Sequence, residues 1–260
     1  LQKSPNRFAV VYPAARLFHM DGIERKREPA LRRALDLLSH ACRLLDQNSD
    51  PAISETSLRI EMADVLLGLG EEERAIAMLR ANNPCGVNDE AIGCILAGMA
   101  GRREEAMSLL SMALLRHISG LIQIVGKFGD IYEDRGRLDQ ADEVLAWLYP
   151  FLRGLERPDQ VSYLTKYRAA ALGCRAQIAW KSGREQDAEA FLREALALAD
   201  RFDAAPNYRA DALRWYEGPD TAMAYDSMGA TARDAVRQAF TQQGEDPEAG
   251  AFLTAFESEN

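Results

Sequence analysis

Apolar positions along this chain recur at helical spacing. Leu31, Leu35, Leu38, Cys42 and Leu45 advance by 4, 3, 4 and 3 residues, so they share one helix face. Pro29 suits the first turn of that helix, where a missing N–H costs nothing. A partner helix is expected over residues 7–20, with a kink or a late start at Pro13, whose nitrogen cannot donate. No convincing alternation of apolar and polar residues marks a strand.

One phrase then returns four times: a glycine, a short polar run, an alanine five residues on, and a leucine four further. It reads Gly70, Ala75, Leu79; then Gly101, Ala106, Leu110; then Gly136, Ala141, Leu145; then Gly183, Ala188, Leu192. The glycines are spaced by 31, 35 and 47 residues, the scale of a structural repeat. Glycine ends one helix by taking a left-handed C′ conformation. The acidic residues after it suit the positive first turn of the next. The small alanine lets two helices approach closely, and the leucine lies on the same face. Each unit is therefore expected to be an antiparallel helix pair.

These residues resemble the tetratricopeptide (TPR) repeat, which places a small residue twelve before the alanine and an aromatic nine before it. Gly129, Tyr132 and Ala141 match, with Phe128 beside the glycine. The other units depart from that pattern, with Ala63 and Leu66, Cys94 and Ala97, and Ala176 and Ala179. The resemblance implies an all-α, right-handed α-solenoid of TPR-like hairpins. Its expected parts are an N-terminal hairpin over 1–54, four degenerate repeats over 55–202, and a C-terminal capping segment over 203–260. In the fourth repeat Pro158-Asp159 is expected to open a helix to about Lys181 whose extra turns expose Tyr163, Lys166 and Tyr167. A capping helix is expected from Asp220 or Thr221 to Thr241, with Met223, Met228, Ala232, Ala235, Val236 and Phe240 on its apolar face.

Composition narrows the classes of function. Hydrophobic residues make up 47%, enough for a large core, and no fully apolar stretch approaches a membrane span. Cys42, Cys85, Cys94 and Cys174 lack a CxxC spacing and read as reduced, mostly buried thiols of a cytoplasmic protein. The net charge of −9 argues against an unaided grip on nucleic acid. Residues 1–33 nevertheless carry eight basic and three acidic side chains, or +5, which leaves −14 for the rest. The chain opens on Leu1 and is expected to be part of a longer protein.

No catalytic constellation stands out. His19, His40 and His117 form no i, i+4 pair, Gly68-Leu69-Gly70 lacks the third glycine of a dinucleotide loop, and no phosphate loop or nucleophile elbow is present. The reading is a binding protein, not an enzyme, with no cofactor and no metal. Stacked helix pairs line a concave side with their first helices. Aligned on the key alanine, the inward positions are Glu61 and Asp64; Asn88 and Ile95; Gln123, Lys127 and Asp130; and Tyr163, Lys166, Tyr167, Gln177 and Trp180. Rings beside amides and charges suit a peptide or protein partner.

The tail adds a second resemblance. Leu198 to Tyr208, Arg214-Trp215, and Ala224 to Ala232 are similar to the C-terminal end of bacterial transcriptional regulators that join an Xre-type helix-turn-helix to a TPR-like region. That resemblance implies a sensor and dimerisation region that binds a peptide or small effector, forms a homodimer, and meets DNA only through a domain missing from this chain. The alternative is a free-standing TPR adaptor that scaffolds a protein partner.

Overall fold

The computed structural model describes residues 6–241 and 246–259. It is all-α, and among the described residues there is no strand, only two isolated β-bridges. The chain divides into two compact units, Leu1–Ala113 and Leu114–Asn260. The changes of repeat pattern near 54 and 202 mark the kinds of hairpin along the chain, and hairpins share cores with their sequence neighbours.

The first unit holds α1 (Phe8–Glu24), α2 (Glu28–Arg43), α3 (Glu55–Gly68), α4 (Glu72–Ala81), α5 (Asp89–Gly98) and the start of α6 (Arg103–Asp134). The expected pair α1/α2 is present. α1 begins before Pro13 and runs through it, so no late start occurs. Gly22 is needed here, because a Cβ on it would sit 2.6 Å from the Leu31 side chain. Phe8, Val11 and Ala15 pack on Leu31, Ala34 and Leu38, and then on Leu58 and Met62 of α3. Ser54 starts α3 with a reciprocal capping box to Ser57.

The second unit holds the rest of α6, then α7 (Leu138–Leu155), α8 (Tyr163–Lys181), α9 (Glu185–Ala204), α10 (Ala232–Phe240) and α11 (Pro247–Glu259). Its main core joins Ala169, Leu172 and Ala176 of α8 to Leu192 and Phe202 of α9, Val236 and Phe240 of α10, and Leu253 of α11.

The repeated glycines do what their spacing requires. Gly70, Gly136 and Gly183 have φ of 72°, 68° and 72°. At each, the glycine N–H and the next N–H bond back to carbonyls of the preceding helix, as in Glu71 to Leu66 at 2.9 Å and Arg184 to Ala179 at 2.9 Å. This is the Schellman arrangement that satisfies orphan helix-end carbonyls. The key alanines Ala75, Ala106, Ala141 and Ala188 are all buried.

Four expectations give way. The second helix of the second repeat and the first helix of the third are one 32-residue helix, α6. Residues 115–122 carry no proline, and the Ser119 hydroxyl bonds the Leu115 carbonyl at 3.0 Å inside a continuing helix. The α5 register is also displaced: Cys94 and Ala97 are exposed, while Gly93 and Leu96 are buried. A Cβ on Gly93 would meet Leu110 at 2.7 Å, which identifies the close-approach position. α8 starts at Tyr163 and not at Pro158, because Ser162 and Thr165 form its capping box. α10 starts at Ala232, after the left-handed Gly229, with Thr231 and Asp234 as its box. Met223 and Met228 therefore lie outside it, while Ala232, Ala235, Val236 and Phe240 are buried as expected.

Candidate functional site

The inward positions read from the sequence separate into three environments. In the first unit, Glu61 accepts a hydrogen bond from the Tyr12 hydroxyl at 2.6 Å, a contact that ties α3 to α1. Burial, and then this carboxylate, push the Tyr12 hydroxyl up to about 12. Asp64 lies exposed on α3. Asn88 is a correction: it is 1% exposed and works inside the fold. Its side-chain amide donates to the carbonyls of Leu79 at 3.1 Å and Asn82 at 2.6 Å, closing the connection from α4 to α5.

On α8 the expected exposure is overturned. Tyr163, Lys166 and Gln177 are buried, Tyr167 is half-buried, and Trp180 is half-buried against Phe240 and Phe252. Two parts of the chain cover them. α10 lies against α8 at Gly173, where a Cβ would be 3.0 Å from the Val236 carbonyl oxygen. The irregular stretch between α9 and α10 covers the first turns of α8. Lys166 Nζ donates to Asp226 at 2.9 Å, to the Gly229 carbonyl at 2.8 Å and to the Tyr208 hydroxyl at 3.1 Å. Asp203 of α9 adds a cap to α10, accepting from the N–H groups of Ala232 and Arg233 at 2.7 and 3.1 Å. The face that was to receive a partner on this repeat is filled by the chain's own C-terminal region.

Gln123, Lys127 and Asp130 on α6 do stand in solvent. Lys127 pairs with Asp130 at 2.6 Å, an exposed contact of small energetic weight. Beside them runs an apolar stripe that the sequence reading did not single out. Ile124, Phe128 and Ile131 are 57%, 51% and 43% exposed and are spaced by 4 and 3 residues. The opposite stripe, Ile118, Ile122 and Val125, is buried. α6 thus has two apolar stripes, and among the described residues only one of them is buried. The signal was present as a second 4, 3 spacing, hidden by the first.

The chemistry available is that of recognition. Among the described residues no group of three or more His, Cys, Asp or Glu side chains could hold a metal ion. The cysteines are free; Cys85 and Cys94 are exposed and Cys42 and Cys174 intermediate, so the expectation of mostly buried thiols fails. α6 is also the one described helix long and apolar enough to cross a membrane, by length and composition alone. A single such helix is weak evidence for a span, and Arg116 and His117 sit near its middle.

No protein-family model matches the chain. Among curated proteins none matches. Among solved structures, the chain is similar to a kinesin light chain from Podosopora anserina with nearly identical TPR-like repeats. The match has 15% identity and a TM-score of 0.33, and covers 78% of this chain and 99% of that one. At that TM-score the likeness adds no weight, and the helical-hairpin assignment stands on the turns and cores described above.

Proposed function

We propose that this chain is a protein-binding, non-catalytic region of TPR-like hairpins whose docking face is the outward side of α6. The observation that carries this is the stripe Ile124, Phe128 and Ile131, edged by Gln123, Lys127 and Asp130. Apolar anchors one helical turn apart beside amide and charged groups suit an amphipathic helix of a partner protein. Isolated exposed apolar residues are ordinary, but an aligned row on one face is what interfaces use. The partner is held at α6 and not along α8, whose inner face is already occupied.

The test is a double substitution, Ile124→Ser with Phe128→Ser. Both residues are exposed, so stability is expected to change by no more than about 1 kcal/mol. Recovery of a reproducible partner from the source cells is expected to fall by about tenfold or more, the effect of removing central anchors. Sedimentation of the purified chain shows whether that partner is a second copy. Undiminished recovery with the double variant removes α6 as the docking face.

A narrower reading places the chain as the sensor and dimerisation part of an Xre-type regulator. The charge asymmetry supports it: +5 over residues 1–33 in a chain of −9 suits a neighbour that works against a polyanion. The frame upstream of Leu1 in the gene decides it. A helix-turn-helix coding segment there is expected; its absence leaves the adaptor reading.

A further inference from the structure

The second unit contains a cavity of about 330 Å³ where the end of α7, the turn before α8, and α9 approach one another. Five arginines line it: Arg153, Arg157, Arg168, Arg201 and Arg214. Two carboxylates, Glu156 and Asp159, accompany them, leaving an excess of three positive charges in a chain whose net charge is −9.

Internal pairing cancels only one of these charges, that of Arg168 on Glu156. Glu156 is consumed within the fold: it accepts from the Ser162 hydroxyl at 2.8 Å, from the Thr165 hydroxyl, and from Arg168. Arg168 is 8% exposed, and its Nε–H is buried without a partner. Arg157 spends its donors on the carbonyls of Leu213 and Tyr216, so its charge stays uncompensated. Arg153, Arg201 and Arg214 form no ion pair with any described residue. Guanidiniums gathered around one cavity repel one another, and an anion placed among them turns that repulsion into attraction.

The cavity is also held in place. The Arg214 N–H donates to Leu155 at 2.8 Å, and the Arg157 N–H donates to Ala212 at 3.1 Å. These bonds pin the backbone of the stretch carrying Arg214 to the end of α7, so the two segments that line the cavity stay together.

We infer that this cavity is a binding site for a small phosphate-bearing anion. Planar guanidiniums donate in forks that match phosphate oxygens. A single carboxylate brings one charge and two oxygens, too few for four arginines that lack an ion pair. The lining offers no aliphatic or aromatic wall apart from Pro158, so the ligand is small and polar. The site uses none of the α6 face residues, and its test does not depend on them.

The experiment is calorimetric titration of the full chain with pyrophosphate and, separately, with glycerol phosphate and malonate, at low salt. Expected is one pyrophosphate per chain, bound about tenfold or more tightly than malonate. Arg201→Gln with Arg214→Gln, both at exposed positions, is expected to weaken it by about tenfold or more, the scale of lost charge-assisted bonds. Arg135→Gln, an arginine outside the cavity, should leave it unchanged. No heat at millimolar pyrophosphate, equal binding of malonate, or equal binding by the folded double variant overturns the site.

Discussion

Lys166→Met is expected to destabilise the second unit by about 3–5 kcal/mol, the cost of stranding one member of a buried ion pair. Lys166 and Asp226 have side chains only 1% and 4% exposed. With the ammonium gone, Asp226 keeps one oxygen on the Met228 N–H, but its other oxygen already lacks a partner, and among the described residues it forms no other ion pair. Methionine fills the space of the lysine stem, so the loss reports charge and hydrogen bonding, not a cavity. In thermal unfolding the change corresponds to a fall of about 6–20 °C for a unit of this size. Adding Asp226→Asn keeps an acceptor for Met228 and removes the stranded charge. The double variant is expected to recover at least half of the loss, because replacing a whole buried pair is far cheaper than breaking it. Equal melting of wild type and Lys166→Met would show that the stretch over α8 is not held by this cation.

The same residue sets a pH dependence. Burial pulls the ammonium towards deprotonation, but the hydrogen bonds it donates to Asp226 and Tyr208 outweigh that and leave its pKa raised. A lysine raised in the fold contributes its full stability below the unfolded value of about 10.4, and loses it as pH climbs through the folded one. The gap between wild type and Lys166→Met is therefore expected to be constant through neutral pH and to close only in strong alkali.

Phe240→Ala is the second large effect, expected at about 3–5 kcal/mol. Phe240 is fully buried, with ring centroids 6.3 Å from Trp180 and 5.9 Å from Phe252. With Val236 and Leu253 it joins α10 and α11 to the core of α8 and α9. Its loss should release the C-terminal pair ahead of the rest, seen as lost amide protection over α10 and α11 while α9 remains protected. Trp180 offers a second readout. Trp147 and Trp215 are 52% and 57% exposed, so a red shift in emission reports Trp180 becoming wet. Unchanged emission and protection would mean that the pair is held elsewhere.

Local chemistry made the hairpins legible. The glycines at 70, 136 and 183, with acids after them, specify a turn whatever the rest of the chain does. Where the signal was missing, the expectation failed for a reason that can be named. Residues 115–122 carry no proline and Gly120 stays inside the helix, so two expected helices became one. Long-range burial was the larger loss. Lys166 meets partners 42, 60 and 63 residues away, and no local pattern announces them. Read alone, Tyr163, Lys166 and Tyr167 look like a polar-aromatic groove; in the fold Tyr163 and Lys166 are interior and Tyr167 is half-buried. The arginine cavity draws on residues from 153 to 214 for the same reason. The α6 face was half legible, since its polar edge was identified while its apolar centre was passed over.

The most direct test of the docking face is a photo-crosslinking residue placed at Phe128 in the full chain, compared with one at Glu143, an exposed position on α7. Exposed to light in the source cells, position 128 is expected to yield one defined protein adduct, and position 143 none. No adduct from 128, or the same adducts from both positions, would contradict α6 as the surface through which this chain binds its partner.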